Sequence, residues 1–217
     1  MLNIAIDGPG GAGKSTIAKA VARELNIDYI DTGAMYRAVA YKTLLEEVDP
    51  ENSEQLKNML KTTDIDFSGG DIILDGRTVN SEIREPQVTK LASLVSRNFY
   101  VRAKLVELQR NMASKKSVVM DGRDIGTNVL PDANCKFYMN ASAQERAKRR
   151  YDELKLKGKD IGFDEVLNDI NERDRQDIKR KLNPLRKADD ALEIDTTGLS
   201  INEVTDLLLG KIKAVID

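Results

Sequence analysis

The stretch at 4–16, IAIDGPGGAGKST, restricts what this chain can fold into more than any other part of it. Apolar residues and an aspartate run into Gly8, Pro9, Gly10, Gly11, Ala12, Gly13, Lys14, Ser15 and Thr16, which fill every fixed position of G-x-x-x-x-G-K-[ST]. An Ala-rich apolar pattern of helical period follows. Strand, glycine loop and helix in that order form a phosphate cradle. Glycines let the backbone wrap with its N–H groups inward, and the helix N-terminus adds positive potential. Lys14 is expected to reach the β- and γ-phosphates of a nucleoside triphosphate, and the Ser15 hydroxyl to ligate Mg²⁺. A glycine-rich turn that binds nothing is the plainer alternative, and the strand–loop–helix context argues against it.

Composition narrows the partners. The 217 residues suffice for an α/β domain with a sizeable core, and 41% apolar with 32% charged residues is ordinary for a soluble enzyme. A net charge of −2 argues against holding long nucleic acid by bulk electrostatics. The single cysteine, Cys135, excludes an internal disulfide, and the strand pattern at the very start leaves no secretory leader in this sequence. No apolar run approaches a membrane span. The expectation is a cytoplasmic protein with no membrane partner. The chain has no histidine, so any chemistry rests on carboxylates, Lys, Arg and a nucleotide-borne metal. Phosphoryl transfer needs little more than these.

Along the chain, apolar runs at 2–7, 28–31, 118–121, 136–140 and 191–195 read as strands. Helical patterns lie between them, at 15–25, from 32 to about 47, at 53–61 with Ser53 as N-cap, at 85–96, at 101–113, from 142, at 163–181 and from 200. Such alternation predicts an α/β fold with a five-stranded parallel sheet and helices on both faces. Residues 63–84 depart from it, with short alternating runs separated by SGGD and DGR, which predicts a small antiparallel insertion. Four strand ends carry polar groups: Asp7-Gly8, Asp31-Thr32-Gly33, Asp121-Gly122-Arg123-Asp124 and Asp195-Thr196-Thr197. Ligands of open α/β sheets collect at such ends. Asp121 reads as a Walker-B-like carboxylate that reaches the metal through water, or as a simple strand-end cap.

GPGGAGKST, DTGAMYR, DGRDIGT and RDRQDIKR, in this order and spacing from residue 2 to near 212, resemble the bacterial cytidylate kinase family. That family belongs to the nucleoside monophosphate kinases of P-loop kinase fold. The resemblance implies a single kinase domain over 1–217, with a monophosphate-binding insertion at about 48–96 and a lid at about 151–163. It implies transfer of the γ-phosphate of ATP to CMP or dCMP, with Mg²⁺. No exposed apolar helix face in the sequence pattern demands a partner, so a monomer is the expectation. Thr32 and Arg37 would hold the acceptor phosphate. Ser93, Arg102 and Asp124 would read the cytosine side, and Arg123 would bridge towards the phosphate. Arg173, Asp177 and Arg180, at i, i+4 and i+7, would share one helix face, binding phosphate, ribose and the base side respectively. Lys14, Arg123 and Arg173 would be the catalytic set.

Arg146, Arg149 and Arg150 lie within about one helical turn. Facing solvent together they would repel, which points to a polyanion partner no more strongly than to the plainer reading of a solvated basic face. The resemblance places them at the lid, in contact with phosphate. Gly158 and Gly162 are candidate hinges for lid closure. Two rivals compete with this reading. One is a P-loop kinase for UMP, AMP, dTMP or shikimate. The other is a GTP switch, whose guanine motif is matched no better than by RKAD at 186–189.

Overall fold

The structure is a computed structural model and describes residues 1–216. In chain order the elements begin with β1 (Asn3–Asp7), α1 (Lys14–Leu25), β2 (Asp28–Asp31), α2 (Thr32–Leu45) and α3 (Ser53–Leu60). A hairpin sheet follows, β3 (Ile65–Ser68), β4 (Asp71–Leu74) and β5 (Arg77–Thr78), then α4 (Pro86–Val95) and α5 (Phe99–Ala113). The chain returns through β6 (Val118–Gly122), β7 (Cys135–Asn140), α6 (Ala143–Leu156), α7 (Phe163–Lys179), β8 (Leu192–Asp195) and α8 (Ile201–Ile216).

The main sheet has the order β2-β6-β1-β7-β8, with β1 parallel to both β6 and β7 and β7 parallel to β8. Its central strands are apolar along nearly their whole length because both faces are covered. Ile4, Ile6, Val119, Phe137 and Met139 pack with Ile17 and Val21 of α1 and with Val204, Leu208 and Ile212 of α8. The β1–β6 register sets Asp7 beside Gly122 and Ile6 beside Asp121, so the glycine loop and the DGRD segment leave the sheet side by side. No described helix is long and apolar enough to cross a membrane.

The chain divides into two compact units. One comprises Met1–Tyr29 and the residues from Ser117 onward, and the other is Ile30–Lys116. The second unit contains the expected antiparallel patch, with the order β3-β4-β5. Its two turns use the left-handed region at both central positions. Gly69 and Gly70 have φ of 60° and 90°, and Asp75 and Gly76 have 49° and 78°. Those are the torsions a two-residue hairpin of right-handed twist requires. Buried Lys42 of α2 pins this hairpin, with its Nζ 2.6 Å from Asp75 Oδ2 and donating to the Thr62 carbonyl at 3.2 Å.

Three local expectations need correction. The N-cap of α3 is Asn52, which accepts from the N–H groups of Glu54 and Gln55, and Ser53 is the first helical residue. Helix α2 stops at Leu45, before a left-handed Glu47 with φ of 52°. Helix α7 stops at Lys179, because Arg180 turns to an extended backbone (φ −58°, ψ 132°). Arg180 therefore leaves the helix face expected to carry it with Arg173 and Asp177.

Candidate active site

In the sheet unit, the site grows from the glycine loop. Gly8 has φ of +146°, and a Cβ there would lie 2.0 Å from the Met139 carbonyl oxygen, so no side chain fits. Gly11 and Gly13 also take positive φ, which winds the loop onto the start of α1. Lys14 is buried and folds back over the loop, donating from Nζ to the Pro9 carbonyl at 2.7 Å. Burial, with Arg123 and Arg173 nearby, pushes the Lys14 ammonium down to about 7 against the pull of Asp121 and Asp7. This loop is crowded with positive charge and poised for an anion.

Asp121, at the end of β6, accepts from Ser15 Oγ at 2.8 Å and from Tyr29 Oη at 2.7 Å. Two hard oxygens, Ser15 Oγ and an Asp121 carboxylate, thus stand together at the loop's end. That donor set suits Mg²⁺, which commonly takes one or two protein oxygens and fills its octahedron with phosphate and water.

Arg123 extends from the same strand end over the loop. A Cβ on Gly10 would meet Arg123 Nη2 at 3.5 Å and the Arg173 side chain at 3.8 Å. Asp177 of α7 accepts from Arg123 Nε at 2.7 Å and fixes the guanidinium. Burial alone would lower Arg123, but Asp177 foremost holds it above its ordinary value. Burial likewise raises the Asp177 carboxyl, and Arg123, Arg173 and Arg180 outweigh that to keep it low. Arg180, though past the helix end, is half-buried, holds its Nη2 3.5 Å from Asp124 Oδ1 and donates to the Leu182 and Asn183 carbonyls.

The three arginines of α6 do not form a bare cationic face. Arg146 is buried and donates to Ala141, Gly10 and Asp174, Arg149 donates to Thr196, and exposed Arg150 pairs with Glu153. Ser142 caps α6 through the Glu145 N–H, as its sequence suggests. Between α6 and α7 runs a link with Gly158 left-handed, and Ala147, Leu154 and Val166 give the helix pair a small core of its own.

In the second unit, Asp31 caps α2 by accepting from the Ala34 N–H at 2.8 Å, and Arg37 Nη2 lies 3.1 Å from its other oxygen. Thr32, the first residue of α2, is buried. Arg102 is buried on α5 and lies over the Tyr36 ring at 5.6 Å. Ser93 is half-buried on α4, where its carbonyl accepts from Ser96 Oγ.

Sequence reasoning gave no role to Asp7, Tyr29, Asp174 or Thr196. Asp7 is buried and holds the wide helical turn at Ile125–Val129 by accepting from the N–H groups of Ile125 (2.8 Å) and Gly126 (2.7 Å). Burial pushes its carboxyl up to about 6. Its strand-end position was visible, but the turn it braces lies more than a hundred residues away. Thr196 was visible in the DTT strand end, where its Oγ1 donates towards the Ala12 and Asn140 carbonyls.

Comparison with known proteins identifies relatives along nearly the whole chain. A family model described as cytidylate kinase matches residues 4–214. Curated relatives named cytidylate kinase, from Bacillus thuringiensis (strain Al Hakam) and Bacillus cereus (strain AH187), are each 49% identical over 218 residues, covering 99% of this chain and 97% of the relative. Among solved structures, an uncharacterized protein from Eubacterium ventriosum ATCC 27560 aligns with a TM-score of 0.53 at 16% identity, over 98% of this chain and 99% of that one. Shikimate kinase from Bacteroides thetaiotaomicron aligns with a TM-score of 0.50 at 14% identity, over 98% of each chain. At such identities these two speak for the fold alone.

Proposed function

The chain belongs to the cytidylate kinase family, and on that footing we propose that it uses the site described above to transfer the γ-phosphate of ATP to CMP or dCMP. The observation that carries the assignment of the chemistry is the gathering of Lys14, Arg123 and Arg173 around the glycine loop.

The loop N–H groups and Lys14 bind the donor phosphates. An acceptor phosphate oxygen attacks the γ-phosphorus in line, the bond to the β–γ bridging oxygen breaks, and ADP leaves. The attacking oxygen is already anionic, so no strong general base is required. Arg123 and Arg173 neutralise charge that spreads over the transferring group. Ser15 and Asp121 are the residues that would hold Mg²⁺, which when bound supplies charge neutralisation between the β- and γ-phosphates.

For the acceptor, Thr32 and Arg37 take its phosphate, Asp177 its ribose, and Ser93, Arg102, Asp124 and Arg180 its base side. Segment 48–96 serves as the acceptor-binding insertion. Segment 151–163 serves as a lid whose closure excludes water, with Arg149 and Arg150 supplying charge. The enzyme is read as a cytoplasmic monomer.

The test is substitution. Arg123→Ala or Arg173→Ala is expected to lower kcat for CMP phosphorylation on the order of 100-fold, with the circular dichroism of a folded protein retained. Near-normal turnover in either variant contradicts its assigned role.

A further inference from the structure

Asp174 stands apart from the residues assigned to substrate, and Arg146, expected from the sequence to contact phosphate from the lid, is instead spent on protein partners. Arg146 is 4% exposed, yet it sits in the first turn of α6, a helix otherwise rich in solvated charge. Its guanidinium is used in three directions. Nε donates to the Ala141 carbonyl at 2.9 Å, Nη1 to the Gly10 carbonyl at 3.0 Å and Nη2 to Asp174 Oδ2 at 2.6 Å. The backbones are close as well, since a Cβ on Gly11 would lie 3.2 Å from Arg146 Cβ. Asp174 neighbours Arg173 in sequence on α7, and its Oδ1 is buried without a hydrogen-bond partner among the described residues.

One planar cation thereby ties the end of β7, the phosphate loop and α7 together. Gly10, whose carbonyl it holds, is also the residue beside which Arg123 and Arg173 lie. A fork of five fixed donors can impose such three-way geometry, and a lysine cannot. We propose that Arg146 and Asp174 form a strut that positions Arg173 over Gly10, so that they are positioning residues for the transfer step and Arg146 is not a phosphate-contacting lid residue. This rests on the reading of Arg173 as a residue that binds the transferring phosphoryl.

Small displacements of a catalytic group cost one to two orders of magnitude in rate. Asp174→Ala and Arg146→Lys are therefore expected to lower kcat on the order of 10- to 100-fold while KM for ATP stays near wild type. Should Asp174→Ala fail to fold by thermal melting, the isosteric Asp174→Asn replaces it, with the same split expected. Because the strut acts through Arg173, adding Asp174→Asn to Arg173→Ala is expected to cost no further kcat. A residue that merely stabilised the fold would give an additive loss.

An Arg146 that released Asp174 to bind ATP would behave otherwise. Asp174→Ala would then keep wild-type kcat, and Arg146→Lys would raise KM for ATP alone. Either result overturns the strut. Near-normal turnover in Arg173→Ala alone would instead overturn the reading of Arg173. An inactive Arg173→Ala beside a normal Asp174→Asn would overturn only the strut.

Discussion

Under the proposed function, the chemistry of Lys14 is expected to change when a triphosphate binds the loop. In the free enzyme, burial and two neighbouring arginines hold its ammonium near 7, well below an ordinary lysine. At pH 8 it is therefore mostly neutral. A triphosphate brings several negative charges beside it, which favours the charged form and raises its pKa. Protons must then be taken up on binding. Titration calorimetry with ATP at pH 8, in buffers of different ionisation enthalpy, is expected to report uptake that is lost in Lys14→Met. Binding with no uptake at pH 8 would contradict the burial and charge environment described for Lys14. Asp7 shows the same logic with the opposite charge, since a carboxyl buried beneath the Ile125–Val129 turn is pushed up to about 6. Neither shift was legible in the sequence. The motif identifies Lys14, but its low pKa comes first from burial in the folded loop and then from Arg123 and Arg173, more than a hundred residues further along the chain.

At the scale of elements, local chemistry was legible and distant chemistry was not. Ser142 with Glu145 and Ser200 with Glu203 are short-range signals, and both cap the helices they precede. The SGGD and DGR turns were equally plain, because hairpin torsions favour Gly and Asp-Gly. Asn52 shows the limit of such signals, since two adjacent residues were both chemically able to cap α3 and the backbone chose the first. Asn52→Ala is expected to lower stability by about 1 kcal/mol, or a melting point by about 2–4 °C, with turnover unchanged. Ser53→Ala is expected to cost clearly less, because its hydroxyl caps no backbone N–H of α3 among the described residues and accepts from the Asn98 side chain in a solvent-exposed bond. Equal losses would contradict the cap assignment. Arg180 failed for a related reason: helical spacing was extended one residue past the helix end. Arg146 was read as a lid residue, but its protein partners could not be read, because Gly10 and Asp174 lie 136 and 28 residues away from it.

For the whole molecule, the sheet order and the register of β1 against β6 bring the phosphate loop and the DGRD segment together, and the family places that arrangement among the cytidylate kinases. The loop alone announced a triphosphate. The arginines and carboxylates gathered around it are the phosphoryl-transfer centre we propose, and CMP as acceptor is the claim on which the residue roles depend. The most direct measurement is ADP formation from ATP and Mg²⁺ with CMP, dCMP, UMP, AMP and dTMP offered in turn, and with no acceptor. The largest kcat/KM is expected for CMP and dCMP, with only slow ATP hydrolysis when no acceptor is present. A larger kcat/KM for AMP, or fast turnover without any acceptor, would contradict it.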